Sequence, residues 1–321
     1  MKCDLIFKNM LEEVLYEGQY ANDKPTRPVY PDTGLPAYTI RKFGIINRYN
    51  LKEEFPIPTL RPIPLKNCID EILWIWQKKS SSIKDLNSHI WDSWAGEDGT
   101  IGKAYGYQVK NKLRKVKTTI RKLKEANLKF VYMGEIRDNE EIVYPLLLSK
   151  ITDEEMLDLE NEYYLDQTDF ILYELQNNPY SRRILGELYC IDDIPEMNLE
   201  PCCYSITLNV VGNTLNMILN QRSADLITAG NWNVFQYAIL LKLFAIHCGL
   251  EAGELVHVIA DAHIYDRHMD IVKELISREP FEGAKLYINP EKTNFYDFTV
   301  DDFKIENYNH HPQIKNIIVA V

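Results

Sequence analysis

Apolar and polar residues alternate in two short runs, residues 204–211 and 214–220, on either side of Gly212 and Asn213. A period of two marks a strand with one buried face, and a Gly-Asn step between two such runs predicts a hairpin. Residues 38–51 and 256–265 also read as strands, with His263 and Tyr265 two apart and therefore on one face. From Asn233 an apolar segment runs on to Gly249, which predicts a buried helix. Helices are expected over 167–177 and over 65–79, the latter burying Cys68, Ile69, Ile72, Leu73 and Trp76. The first twenty residues mix acidic and apolar positions. They predict an amphipathic helix with Leu5, Ile6, Met10 and Val14 facing inward, not a signal peptide. A Pro-rich loop at 23–36 follows and carries Arg27.

Composition narrows the class. The 321 residues are 45% hydrophobic and 26% charged, ordinary for a soluble globular chain with a large core. No apolar run reaches the roughly 18 residues of a membrane span. A net charge of −11 provides no general attraction to nucleic acid or an anionic membrane, so neither DNA nor membrane is an expected partner. A local arginine cluster still suits a phosphate. The six cysteines form no C-x-x-C pair, so no metal is expected. Reduced thiols and a cytoplasmic location are the expectation.

The chemistry gathers in residues 201–237. Cys202 precedes the predicted hairpin, whose second strand runs into Gln221, Arg222, Ser223, Ala224 and Asp225, with Asn233 beyond. These groups lie at the ends of packed elements, where side chains converge on a small ligand. A thiol becomes a nucleophile when a nearby cation lowers its pKa from about 8.5. Arg222 is a candidate for that cation and for a phosphate ligand. For an isolated cysteine, an inert buried thiol is the commoner case.

Taken together, the motifs resemble the folate-dependent thymidylate synthases. The resemblance rests on Pro201-Cys202, QRSAD at 221–225, Asn233 with Tyr237-Ala238, and Arg182-Arg183. It extends to EILW at 71–74, IWDSW at 90–94, GKAYG at 102–106, DAHIY at 261–265 and the terminal Val319-Ala320-Val321. It implies an α+β fold, a large mixed sheet covered by helices, forming one domain over 1–321 and a homodimer through one sheet face. The implied reaction is reductive methylation of dUMP to dTMP. The co-substrate, 5,10-methylenetetrahydrofolate, provides both carbon and hydride, and no metal is needed.

The same resemblance implies residue roles. Cys202 adds to carbon 6 of the uracil, with Arg222 lowering its pKa and holding phosphate beside Ser223. Asn233 meets the uracil edge, and Glu71 and Tyr105 move protons. Arg27 binds phosphate, while Arg182 and Arg183 cross the dimer interface to the partner's phosphate. His263 and Tyr265 hold a sugar hydroxyl. Ile90, Trp91, Trp94 and Asp225 hold the folate, Arg61 stands near its tail, and Val321 closes over the site. Cys203 stands where the family usually has histidine, TAGNWN at 228–233 where many members read LGLPFN, and Ala260 where glycine is usual. Strand alternation is expected to point Cys202 and Cys203 to opposite sides.

Residues 109–165 depart from the shortest family members and read as an insertion that opens basic and turns acidic. The expectation is a peripheral helical pair whose two halves neutralise each other. Two rival readings share the scaffold: a pyrimidine nucleotide hydroxymethylase, and a catalytically silent nucleotide- or RNA-binding relative.

Overall fold

The computed structural model describes residues 1–24, 26–137 and 140–320. Its helices are α1 (Lys2–Glu17), α2 (Leu65–Trp76), α3 (Gly106–Asn111), α4 (Ile120–Glu125), α5 (Glu154–Leu157), α6 (Gln167–Asn177), α7 (Gly230–His247) and α8 (Met269–Ser277). Its strands are β1 (Gln19–Ala21), β2 (Thr39–Asn50), β3 (Arg114–Thr118), β4 (Phe130–Arg137), β5 (Glu140–Leu147), β6 (Asn161–Leu165), β7 (Leu185–Glu187), β8 (Cys203–Val211), β9 (Thr214–Gln221), β10 (Ala224–Asp225), β11 (Glu251–Tyr265), β12 (Lys285–Ile288) and β13 (Phe303–Glu306).

The main sheet runs β1-β2-β11-β9-β8-β7, with β10 beside β11. It is mixed: β11 is parallel to β9 and antiparallel to β2. The fold is therefore α+β, a mixed sheet with helices, as the motifs implied. The expected hairpin is present, with β8 and β9 joined at Gly212, whose φ of 61° suits a residue without a side chain. Residues Leu215, Met217 and Leu219 of β9 alternate into the core against α7, which is apolar nearly all round and buried along most of its length. On the other side of the sheet Ile218 of β9 and Phe43 and Ile46 of β2 stand exposed.

Two expectations change. Helix α1 buries Cys3, Asp4, Phe7, Met10, Leu11 and Val14, while Leu5 faces out. The buried Asp4 sets this rotation, because its carboxylate accepts from Thr59 N at 2.9 Å and Thr59 Oγ1 at 2.6 Å. A buried carboxylate needs such donors, so it overrides the finer apolar bias of the helix.

The 109–165 segment is not a helical pair. It builds a second, antiparallel sheet in the order β3-β6-β4-β5, with only the short helices α4 and α5. In β3 the period is two: Val116 and Thr118 are buried and Lys115 and Lys117 are not. Charge neutralisation does occur, but across strands, with Lys115 on Glu162 at 3.1 Å and Lys117 on Glu160 at 3.2 Å. Nor is the segment merely peripheral, since Val116, Ile120, Leu123, Val131, Tyr163 and Leu165 belong to the main hydrophobic core.

At the exit from this segment, Asp166 caps α6 and shares the buried Lys79 ammonium with Asp169, at 2.5 and 3.3 Å. Tyr296 donates its hydroxyl to Asp169. One cation thus serves two buried carboxylates, and burial pushes Asp166 upward from the usual carboxylate range.

Leu123→Ala should cost about 2–5 kcal/mol in urea unfolding, the usual range for a fully buried leucine. Turnover measured well below the transition should stay near that of the parent, because no residue of 109–165 lines the cavity described next.

Candidate active site

The carboxyl end of β9, the start of β8, the end of β11 and the first turn of α7 surround a cavity of about 720 Å³. Arg27, Glu71, Ile90, Trp91, Trp94, Tyr105, Cys202, Arg222, Ser223, Asp225, Asn233, His263 and Tyr265 all line it. The structure therefore gathers thirteen predicted side chains from eight separate stretches of sequence. Arg182 and Arg183 do not join them: they are exposed in the turn between α6 and β7. Val321 lies outside the described residues, while Val319 and Ala320 reach the cavity rim.

Arg222 fixes the loop that carries Cys202. Its Nε donates to Pro201 O at 3.1 Å, its Nη2 to Glu200 O at 2.8 Å, and its backbone N–H to Cys202 O at 2.9 Å. The Cys202 N–H donates to the Tyr105 hydroxyl at 3.1 Å. Tyr105 sits at φ 46°, a costly conformation for a side-chain-bearing residue, and packs edge-on to Trp91.

Both cysteines border the cavity, so strand alternation does not remove Cys203 from it. Charge separates them instead. Burial pushes the Cys202 thiol up, and the Arg222 and Arg27 guanidinium groups pull it back without prevailing. The Cys203 thiol is pushed up by burial and then by Cys202 and Glu71, with no cation acting on it. Cys202 is the thiol that becomes a thiolate more readily.

Glu71 is buried with a complete set of donors. Oε1 accepts from Trp91 Nε1 at 2.7 Å, and Oε2 accepts from Trp232 Nε1 and Gln236 Nε2, both at 2.6 Å. Burial raises its pKa and these three bonds oppose the rise.

The Asn233 amide is oriented from both sides. Gln236 donates to Glu71 and to Cys68 O at 3.2 Å, so its Oε1 faces Asn233 and accepts from Asn233 Nδ2 at 3.5 Å. Gln221 Nε2 donates to Ser223 O at 2.8 Å and to Asn233 Oδ1 at 3.3 Å. Carboxylates and carbonyls only accept, so neither glutamine can flip without opposing acceptor to acceptor. Asn233 therefore presents one donor and one acceptor in a fixed sense.

The remaining polar groups are also braced. His263 Nδ1 lies 2.8 Å from Asp261 Oδ1, whose other oxygen accepts from Arg41 at 3.0 Å. Asp225 accepts from Ile227 N, Thr228 N and Thr228 Oγ1 and keeps further lone-pair capacity. The loop carrying Arg27 is tied down by Tyr30, which is buried and donates to Asp266. The Arg267 guanidinium covers the Tyr30 ring at 3.8 Å and binds both oxygens of Asp32 at 2.9 Å.

Comparison with known proteins decides the family. The model of the family described as thymidylate synthase matches residues 5–320.

This chain belongs to the thymidylate synthase family.

Thymidylate synthase 1 of Bacillus subtilis (strain 168) is 34% identical over 310 residues, covering 96% of this chain and 95% of that protein. The thymidylate synthase of Bacillus atrophaeus is 38% identical over 260 residues, 80% of this chain and 95% of that one. The solved structure of thermostable thymidylate synthase A from Bacillus subtilis superposes with a TM-score of 0.80 at 34% identity, covering 99% of each chain. The hydroxymethylase and silent-relative readings find no support among these relatives. Among the described residues, no group of three or more His, Cys, Asp or Glu is placed to hold a metal ion, and no helix is long and apolar enough to cross a membrane.

Of the departures from the usual family pattern, Trp232 in the TAGNWN stretch does alter the cavity, adding an indole to its wall and a donor to Glu71. Ala260 is exposed and does not line it. Sequence reasoning missed Arg41, Asp261, Gln221, Trp232 and Gln236 as parts of this site. Two were within reach: Gln236 is one helical turn from Asn233, and Asp261 is two strand positions from His263.

Arg222→Met should slow alkylation of Cys202 by iodoacetamide at neutral pH and move the midpoint of its pH–rate profile upward, since the guanidinium favours the thiolate. A profile that stays put would detach Arg222 from thiol activation.

Proposed function

We infer that this enzyme converts dUMP to dTMP with 5,10-methylenetetrahydrofolate, through Cys202. The observation that carries the inference is the pairing, in one cavity, of an arginine-flanked thiol with an amide of fixed sense. The uracil edge offers one carbonyl acceptor and one N–H donor, and Asn233 offers Nδ2 and Oδ1 in reply. Cytosine reverses both on the corresponding edge, with an amino donor and a ring-nitrogen acceptor, and is refused.

Carbon 5 of uracil is a weak nucleophile. Bonding of Cys202 Sγ to carbon 6 pushes the ring electrons onto the carbon 5–carbonyl system, making an enolate that forms the new carbon–carbon bond. The carbon 5 proton is then lost, and the thiolate leaves as the carbon 5–carbon 6 bond is restored. The bond between the one-carbon unit and the folate nitrogen breaks as the carbon 5 proton is lost, and hydride from the tetrahydrofolate so released completes the methyl group, leaving dihydrofolate. Glu71 and Tyr105 exchange protons with the ring through water, Glu71 being suited by its raised pKa.

Arg27, Arg222 and Ser223 take the phosphate, where guanidinium forks give paired bonds. His263 and Tyr265, edge to face at 5.3 Å, take the sugar hydroxyl. The flat faces of Trp91 and Trp94, with Ile90, fit a flat pterin, as does the free capacity of Asp225, and Val321 closes the site. The protein acts as a homodimer through the sheet side bearing Ile46 and Ile218, and Arg182 and Arg183 serve the partner's phosphate. Their exposed position away from their own cavity supports that reading.

Incubation with 5-fluoro-dUMP and the folate should yield a covalent ternary complex on Cys202, read by intact mass. Fluorine cannot leave as a cation, so the reaction stops there. Cys202→Ala should give no adduct and Cys203→Ala should give it in full; an adduct on Cys203 would reverse the assignment.

Shared sites predict complementation. Cys202→Ala and Arg182→Ala/Arg183→Ala proteins, each nearly inactive, should regain about a quarter of wild-type activity when refolded together, because half the dimers are mixed and each holds one intact site. Heterodimers confirmed by mass but without activity would place these arginines outside the partner's site.

A further inference from the structure

Among the described residues, His257 stands out as a buried histidine with one satisfied nitrogen. It lies on β11 between Leu255 and Ile259, which share its core-facing side, and it does not line the cavity. Its Nε2 is 2.7 Å from Gln221 Oε1, while its Nδ1 is buried without a partner.

The proton on this ring can be placed by elimination. Gln221 Nε2 must point to Ser223 O, because a carbonyl only accepts. Gln221 Oε1 therefore faces His257, and His257 Nε2 must donate. The alternative tautomer would oppose two acceptors at 2.7 Å and leave a buried N–H unpaired. Burial holds the imidazole down to about 4, so it is neutral across the working range and carries only this one proton.

We propose that His257 is a specificity-positioning residue: its Nε2–H holds the Gln221 amide, and through it the Asn233 amide, in the sense that accepts uracil and refuses cytosine. The chain is His257 Nε2–H to Gln221 Oε1, then Gln221 Nε2–H to Asn233 Oδ1. The second Asn233 contact, to Gln236, is long at 3.5 Å, so the Gln221 side is the firmer of the two braces. For Asn233 to flip and greet cytosine, Gln221 must turn its Nε2 toward His257, meeting donor with donor. Removing the His257 donor leaves Gln221 braced by Ser223 O alone and its oxygen unsatisfied, which weakens the hold on its orientation.

This inference rests on Asn233 reading the base, and the test separates the two. Dissociation constants for dUMP and dCMP are measured by calorimetry on the full-length wild type, His257→Leu and His257→Gln. His257→Leu should lower the preference for dUMP over dCMP by about tenfold, the weight of one orienting hydrogen bond. His257→Gln, which retains an N–H donor, should restore it. A merely structural histidine would lower the melting temperature of His257→Leu and leave the ratio alone, and that result overturns the proposal. A wild type without preference for dUMP would instead overturn the reading of Asn233. If His257→Leu does not fold, ¹⁵N chemical shifts of His257 in the wild type still decide: a neutral ring protonated at Nε2 supports the relay, and a proton on Nδ1 overturns it.

Discussion

A carboxylate buried without a cation governs the architecture of this site. Glu71 has no ion pair among the described residues, and its charged form survives burial only through three N–H donors. Those donors come from two places: Trp91 after α2, and Trp232 and Gln236 on α7. Satisfying one oxygen pair therefore brings an aromatic wall and the helix that carries Asn233 to the same point. Gln236 has a second duty, since donating to Glu71 turns its carbonyl to Asn233. The group suited to proton transfer and the group suited to base recognition are thus set by one hydrogen-bond pattern.

Cys202, the proposed nucleophile, obeys a second constraint of the same kind. Arg222 satisfies its own guanidinium on the carbonyls of Glu200 and Pro201, so it is locked where its field reaches Cys202. Burial still leaves the thiol raised, with the Arg222 and Arg27 guanidinium groups opposing that rise.

Much of this was legible in the sequence, for physical reasons. The β8–β9 hairpin and α6 follow from short-range periodicity and a Gly-Asn turn, and α6 begins and ends where the pattern placed it. The motif residues around Cys202 were legible because the chemistry demands those side chains. What escaped depends on distant partners. Arg41 and Asp261 form their ion pair 220 residues apart, and no local pattern announces it. The sheet within 109–165 was hidden because its exposed positions are lysine and glutamate, which read as helix formers until their cross-strand partners are known. The rotation of α1 was hidden because Asp4 is a charged residue turned inward.

The proposed reaction breaks the carbon 5–hydrogen bond of dUMP and delivers the folate's hydride in one coupled turnover. The direct measurement is tritium release from [5-³H]dUMP followed alongside dihydrofolate formation in the same reaction. The two should appear together in a one-to-one ratio. Tritium release that proceeds without dihydrofolate would contradict it, since the transferred carbon would then end its reaction with water instead of hydride.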